Sequence, residues 1–453
     1  MTHSRDPKYH KLIKKLIKQE KTETLLSLLK ELSPVETANA LLQMKVQHQL
    51  RVLDSLDKET ASEVLSHLYH SPVLQILVQE IKPDRVSDLV EEMPKDDAAD
   101  FLAAIDEEQA DEVLKGLPRK DQDEITNLMK YDEESAGGIM DPHVITATRD
   151  QTVDEAILQI RRFTEDNDIE SFYTIYVVDE HRHLTGTLNV TQLLLSDGKT
   201  QVSNLMDPDV VAVDVDRDQE EVAAIAREYD LVVVPVIDKH LRLVGRITFD
   251  DLADVMSDEY NEDLGLIAGT GQEEVLDTSI LKTIRDRLPW LLLALLGGFL
   301  AALAMEYYET PLASMPRVAY FVPLIAALGG NIGIQSSSIV VRGLATGQIQ
   351  PSDLLSRLWK ELRVGFLNGI ICALCLVALA WFLSGDLAFG LSTGVALILV
   401  VCMAAAIGGS VPILLKRFNV DPALATGPFI TTANDVVGVV IYLVISFSIV
   451  GAL

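Results

Sequence analysis

Two groups of carboxylates carry most of the chemistry available to this sequence. Asp250, Asp251, Asp254, Asp258, Glu259, Glu262 and Asp263 fall within 14 residues, and from Ile247 to Leu281 ten acids occur without one Lys or Arg. On a helix Asp251, Asp254 and Asp258 stack on one face, as do Glu259, Glu262 and Asp263. Like charges at that spacing repel by roughly a few tenths of a kcal/mol per pair, so the run needs counter-charge from elsewhere. Oxygen ligands without His or Cys suit a hard divalent ion such as magnesium or calcium. The alternative is a solvated acidic face. A second run, Glu91, Glu92, Asp96, Asp97 and Asp100, is expected to face the first across a gap. Carboxylates on two domains, bridged by hydrated ions, would draw those domains together, and ion loss would push them apart.

The other signal is a lone acid in apolar surroundings. Asp435, in Thr431-Thr432-Ala433-Asn434-Asp435, interrupts an apolar run from Pro422 to Leu453. An ionised carboxylate at that depth costs about 2.5 kcal/mol or more and usually faces a water-filled path. No base flanks it, so an ion or proton path is expected, with a structural neutral carboxyl as the alternative. Gly329-Gly330-Asn331 and Gln335-Ser336-Ser337-Ser338 form a similar polar island. The glycines permit close helix approach, and the serines are expected to bond back to their own helix. Asn331, Gln335, Asn368, Thr431, Thr432 and Asn434 are the candidate lining residues. Pro428 removes a backbone donor and is expected to free a carbonyl one turn earlier. Glu361, between Lys360 and Arg363, reads as an interface residue, with helix positioning near a pore as the alternative.

The elements that must hold these groups follow from charge. The chain has 453 residues and a formal net charge of -29. Residues 1–285 hold 59 acids and 30 bases, and residues 286–453 hold 8 of each. The first part should stand in water and the second in a membrane. So acidic a surface disfavours nucleic acid as a partner. Three cysteines inside apolar runs, Cys372, Cys375 and Cys402, exclude a disulfide framework. No Ser–His–Asp or Cys–His grouping and no P-loop is apparent, so an enzyme is not expected. Charge-free runs at Leu288–Met305, Val318–Val341, Val364–Gly385 and Leu387–Leu415, with the last run, give five crossings of the bilayer. Nine bases flank them on one side and only Arg317 on the other, which sets the basic side inward. The polar, basic first 20 residues contain no apolar core of signal type. The acidic part is therefore expected to be cytoplasmic, and an odd number of crossings puts the C-terminus outside.

In the soluble half, residues 1–136 read as stacked short helices. Met93-Pro94 and Leu117-Pro118 end apolar stripes 24 residues apart. Residues 137–200 and 201–263 repeat one pattern: Met140-Asp141-Pro142 recurs as Met206-Asp207-Pro208, and Thr174–Asp179 with Gly186 recurs as Val232–Asp238 with Gly245. This repeat resembles a tandem pair of CBS domains. Some members of that superfamily bind an adenine nucleotide between the copies, and Thr248 and Asp250 stand where such domains often place ribose contacts. Residues 264–287 would connect the pair to a membrane domain at 288–453 as one stiff helix.

In that order the parts resemble the MgtE family of bacterial magnesium channels or transporters, over essentially the whole chain. The specific motifs are Gly329-Gly330-Asn331-Ile332-Gly333-Ile334-Gln335, Asp421-Pro422-Ala423-Leu424-Ala425 with Gly427-Pro428-Phe429, and Thr431-Thr432 with Asp435 and Gly438. Ile334 and Asn434 depart from the usual residues, which leaves fine selectivity open. The resemblance implies a multi-domain α-helical membrane protein: a helical superhelix, an α/β CBS pair, a plug helix and five crossings. It implies a homodimer with one pore at the two-fold axis, formed by the second and fifth crossings. Asp435 would be the pore carboxylate. Regulatory magnesium would be held by Asp251, Asp254, Glu259, Glu262 and Asp263, with Asp96, Asp97 and Asp100. Magnesium would then be both the transported and the gating ion, entering passively at the cell membrane. The rival readings are a proton-coupled or exchange-type divalent-cation transporter and a membrane-anchored sensor without transport.

Overall fold

The computed structural model describes residues 15–450 apart from 17–18, 20, 30–31, 69–70, 168–171 and 271–279. The chain divides after Met256 into two compact units.

The first unit begins with short helices: α1 (Thr22–Leu29), α2 (Pro34–Leu41), α3 (Val46–Ser55), α4 (Lys58–Ser66), α5 (Pro72–Glu80), α6 (Pro83–Glu91), α7 (Lys95–Ala103), α8 (Glu107–Gly116) and α9 (Arg119–Leu128). Proline sets many of the starts. Pro34, Pro72 and Pro83 stand in the first helical turn, and Pro94 and Pro118 at the preceding cap, where a missing N–H is no loss. Most of these helices pack on the one two places ahead, as α2 on α4, α4 on α6 and α6 on α8. Ser62 of α4 donates to the Leu89 carbonyl of α6 at 2.8 Å, and Ser87 of α6 donates to the Val113 carbonyl of α8 at 2.9 Å. The same buried serine link thus passes from pair to pair, which makes the array a superhelix.

Two like modules follow. The first has β1 (Thr146–Thr148), α10 (Val153–Asn167), β2 (Thr174–Val178), β3 (Leu184–Asn189) and α11 (Val190–Leu195). The second has β4 (Val213–Asp214), α12 (Gln219–Glu228), β5 (Val234–Ile237), β6 (Leu243–Ile247) and α13 (Phe249–Ala268). In each sheet the first strand pairs parallel with the second and the second antiparallel with the third. The Met-Asp-Pro segments are exchanged between modules. Asp141 bridges Arg246 of β6, and Asp207 bridges Thr187 of β3. Arg246 also holds Asp141 Oδ2 through its side chain, Nε at 3.0 Å and a terminal nitrogen at 2.9 Å. The apolar core of the second module is continuous with that of the helical array, from Leu29 and Phe101 to Val234 and Leu252. The first module closes its own core around Ile175, Val177 and Leu188.

The second unit holds α14 (Ile280–Tyr307), α15 (Glu309–Ser314), α16 (Arg317–Ala345), α17 (Leu354–Ser384), α18 (Leu387–Arg417) and α19 (Pro428–Val450). Among the described residues five of these, all but α15, are long and apolar enough to cross a membrane. They are the five crossings read from the sequence. α18 is the hub: half of its most apolar window is buried, against 6% for α14, and α16, α17 and α19 all pack on it.

Two runs differ from the sequence reading. The stretch 264–287, expected as one helix, is divided. α13 carries on to Ala268 and stops at Gly269, whose φ is +69°. Residues 280–287 begin α14, and 271–279 lie outside the described residues. The fifth apolar run is divided as well. A 3-10 turn at Pro422–Ala425 is followed by Gly427 at φ +57°, and α19 starts at Pro428. Pro428 is therefore at a first helical position, where no N–H is required, and it frees no helix carbonyl. The Gly427 carbonyl accepts both the N–H and the hydroxyl of Thr431, at 3.1 and 2.9 Å.

Against the cost of burial inside the first unit, His143 and Arg246 together hold Asp141 below the usual carboxylate range, and the Arg246 and Asp141 side chains are both largely buried. Arg246→Met should destabilise that unit by about 3–5 kcal/mol, because it strands a buried charge. Thermal unfolding of the full chain in detergent checks this, and adding Asp141→Asn should recover part of the loss.

Candidate metal sites and ion path

The two acidic runs meet inside the first unit. Asp96 and Asp97 open α7, with Asp100 one turn on, and Asp250 and Asp251 open α13. Asp96 is 8% exposed, and its Oδ1 has no hydrogen-bond partner. Burial, then the charges of Asp251, Asp141 and Asp97, hold its carboxyl well above the usual range. Burial also raises Asp97, with Asp250 and Asp254 adding to the rise against the opposing effect of His67. Asp100 is pushed to about 7 by burial and then by Asp97, Glu133 and Asp251. Asp251 is pushed to about 6 by burial, although Thr248 hydrogen-bonds to it. Apart from His67, the bases close by have acids of their own. Arg246 pairs with Asp141 at 2.9 Å and Lys95 with Asp121 at 3.4 Å, and His143 lies 3.6 Å from Glu124 and 3.5 Å from Asp141.

This donor set fits a hard divalent ion in one respect and limits it in another. The unpartnered Asp96 oxygen and the raised carboxyls mark a place that gains from positive charge. Among the described residues, however, no three His, Cys, Asp or Glu side chains converge to hold a bare ion. The arrangement suits an ion that keeps much of its water shell, as magnesium does. Asp254 is exposed on the next turn of α13, and Glu259, Glu262 and Asp263 continue along the same helix. The sequence reading missed Asp141, His143 and Arg246. The Met-Asp-Pro repeat marked Asp141 but gave no sign of its partner.

At the expected ribose position Thr248 and the neighbouring acids hydrogen-bond to one another. The Thr248 hydroxyl is within hydrogen-bond reach of the Asp250 and Asp251 carboxylates. A cavity of about 470 Å³ lies at the first module, lined by Thr174, Thr187, Asn189, Gln192, Met206 and Asp207.

In the second unit α16 and α19 approach through glycine. A Cβ at Gly330 would stand 3.4 Å from Thr431 Cγ2 and 4.0 Å from Asp435 Oδ1. Gly333 admits the Asn434 amide and Ile430 so closely that a side chain there would overlap both. Asn434 was expected to line a path. It is instead 1% exposed, sealed between the two helices, where Nδ2 donates to the Gly329 carbonyl at 3.4 Å. Asp435 is half-buried, as are Thr431 and Thr432, while Asn331, Gln335 and Asn368 are exposed. Among the described residues no Lys, Arg or His forms a salt bridge with Asp435. At the foot of α19, Gly427 lies against the Ile267 carbonyl, and Gly269 lies against Pro428 and Trp290. The end of α13 is thus in contact with the turn that leads into the helix of Asp435.

Two expectations about the polar island change. Ser336 does not bond back to its own helix: its hydroxyl donates to Glu361 Oε2 at 2.8 Å. Glu361 is not an exposed interface residue: it is 5% exposed and paired with Arg357 at 2.8 Å.

An acid inside a five-helix membrane domain, joined in one chain to an acid-rich CBS pair, defines a divalent-cation transporter. Comparison with known proteins agrees part by part. Residues 322–445 match the family model described as a divalent cation transporter, residues 32–134 the MgtE intracellular N domain, and residues 136–197 and 202–258 the CBS domain. The magnesium transporter MgtE of Thermus thermophilus is 34% identical over 437 residues, covering 95% of this chain and 96% of that protein. The magnesium transporter MgtE of Bacillus subtilis is 32% identical over 72% of each chain. Among solved structures, the cytosolic domain of the Mg2+ channel MgtE in complex with ATP is 35% identical, with a TM-score of 0.50, covering 54% of this chain and 98% of that one. The chain belongs to the MgtE family of magnesium transporters.

The raised carboxyls of Asp100 and Asp251 give a pH dependence with a definite sign. Their folded values, about 7 and about 6, exceed the unfolded value of 3.8. Between those limits the folded state binds more protons, so stability falls as pH rises from about 4 to about 7. Without divalent ions the thermal transition of the first unit should drop across that window. Saturating magnesium should flatten the slope, by supplying the charge that the protons supplied.

Proposed function

We infer that the protein is a magnesium channel that admits Mg2+ passively and is closed by Mg2+ on its cytosolic side. The observation that carries the reading is Asp435, an acid in an apolar helix with no salt-bridge partner among the described residues. Such a group requires positive charge, and a passing divalent ion supplies it. Exposed Asn331 and Gln335 on α16 support a polar path beside it. Bare amides facing lipid are unfavourable, and a second copy of the chain across a two-fold axis would cover them and double the acid. The basic flanks favour an inward-facing soluble part and an outward C-terminus in the cell membrane. An inside-negative potential then favours entry by about 2.3 kcal/mol per charge for each 100 mV.

Closure follows from the acidic junction. The ion-sensing set of this reading is Asp251 and Asp254 with Asp96, Asp97 and Asp100 in the first unit, and Glu259, Glu262 and Asp263 further along the same helix. Hydrated magnesium offsets their repulsion and favours the closed arrangement. The contact of Ile267 and Gly269 with Gly427 and Pro428 gives α13 a direct hold on the pore helix. An adenine nucleotide is a further ligand of the CBS pair in this reading. It is supported by the ATP complex of the related cytosolic domain and by the cavity at the first module.

Asp435→Ala should abolish magnesium uptake into proteoliposomes while leaving the thermal transition in place. Parental flux in that variant would remove the path assignment. Neutralising Asp251, Asp254, Glu259, Glu262 and Asp263 together should leave a channel open at high internal magnesium. Closure over the parental magnesium range would count against the sensing set.

A further inference from the structure

Among the described residues Glu361 is the buried carboxylate of the membrane half that has a full set of partners. Arg357, one turn earlier on α17, reaches Oε1 at 2.8 Å, and its own side chain is 12% exposed. The other oxygen, Oε2, accepts the Ser336 hydroxyl of α16 at 2.8 Å. The third wall is α18. A Cβ on Gly409 would lie 2.7 Å from Glu361 Cγ, and one on Gly408 would overlap the Gly333 carbonyl. Three helices therefore meet in a notch that two adjacent glycines open and Glu361 fills. Apolar contact alone can pack membrane helices, and burying an ion pair costs several kcal/mol per ion before its attraction is counted. What the pair adds is direction: it ties one hydroxyl of α16 to one place on α17.

That hydroxyl lies next to the path. One turn from Ser336 on α16, Gly333 receives Asn434, and Gly330 faces Thr431 and Asp435. A shift or turn of α16 by even an ångström would disturb all of these contacts at once.

We propose that Glu361, through Arg357 and Ser336, is a positioning residue for the ion path, locking α16 in the register that sets Gly330 and Gly333 against Thr431–Asp435. The inference rests on reading Asp435 as the ion-binding carboxylate. Magnesium demands stricter geometry than calcium, so a loosened α16 weakens magnesium binding and blunts the preference between the two ions.

The test uses the full chain in proteoliposomes, with uptake measured against external magnesium and with calcium as competitor. Glu361→Ala should raise the half-saturating magnesium concentration about tenfold and lower the preference for magnesium over calcium. Ser336→Ala should shift both in the same direction by less. Glu361→Gln, which keeps an acceptor for Ser336 but strands Arg357, should improve when Arg357→Gln is added. A merely structural role would lower the melting temperature or yield and leave half-saturation and ion preference of the folded molecules unmoved. Parental values of both in Glu361→Ala and Ser336→Ala would overturn the proposal. Should Glu361→Ala fail to fold, parental values in Ser336→Ala alone would do so. Asp435→Ala separates the two levels: normal flux there removes the path reading itself, whereas no flux there with parental Glu361→Ala removes only the role of Glu361.

Discussion

The structure turns on carboxylates that are brought together faster than bases are supplied to neutralise them. A buried acid has three remedies: a base, a proton or a metal ion. At the junction of the helical array and the second CBS module the bases go to Asp141 and Asp121. Asp96, Asp97, Asp100 and Asp251 are left with protons or cations, and burial has already raised their affinity for protons. For Asp100 and Asp251, raised to about 7 and about 6, the proton is leaving near neutral pH, and a hard cation can take its place. On the proposed reading, sensitivity to ion concentration comes from this packing, which leaves the acids short of positive charge.

The membrane half applies the same rule twice with opposite results. Glu361 has Arg357 and Ser336, and it is sealed among three helices. Asp435 has no salt bridge among the described residues and stays half-buried beside a glycine pair. The first acid is satisfied by the protein and can only organise it. The second is left for something that comes and goes. Charge supply separates the two carboxylates here, and on the proposed reading the one without a salt bridge serves transport.

The features legible in the sequence were those with a local cause. Five apolar runs need only length and the absence of charge to be seen. The superhelix announced itself through Pro94 and Pro118, and the CBS pair through Met-Asp-Pro at 140 and 206. The features that stayed hidden depend on partners distant in sequence. Arg246 meets Asp141 from 105 residues away, and Glu361 is buried only because Gly409 of another helix leaves room for it. Asn434 reads as a polar lining residue until Gly333 is known to receive it. The turn before α19 was masked because Pro422–Ala425 is as apolar as the helix that follows. Gly427-Pro428 was the available sign of a break, since glycine takes a positive φ and proline favours a helix start.

The apolar core runs across the same joint as the acids. The helical array and the second module share one core, whereas the first module has a core of its own and meets the second through a smaller cluster of Val144, Tyr176, Val178 and Leu243. Apolar contact therefore favours holding the array against the second module at any ion concentration. The acids at the same joint oppose it, by an amount that ions set. Two terms of opposite sign at one joint are what a two-state switch requires, because neither alone would leave both states within a few kcal/mol. α13 belongs to this joint through Leu252 and Val255, in that shared core, and through Asp251 in the acidic cluster. Its other end meets Gly427 and Pro428, so the helix that experiences the balance also touches the helix that carries Asp435.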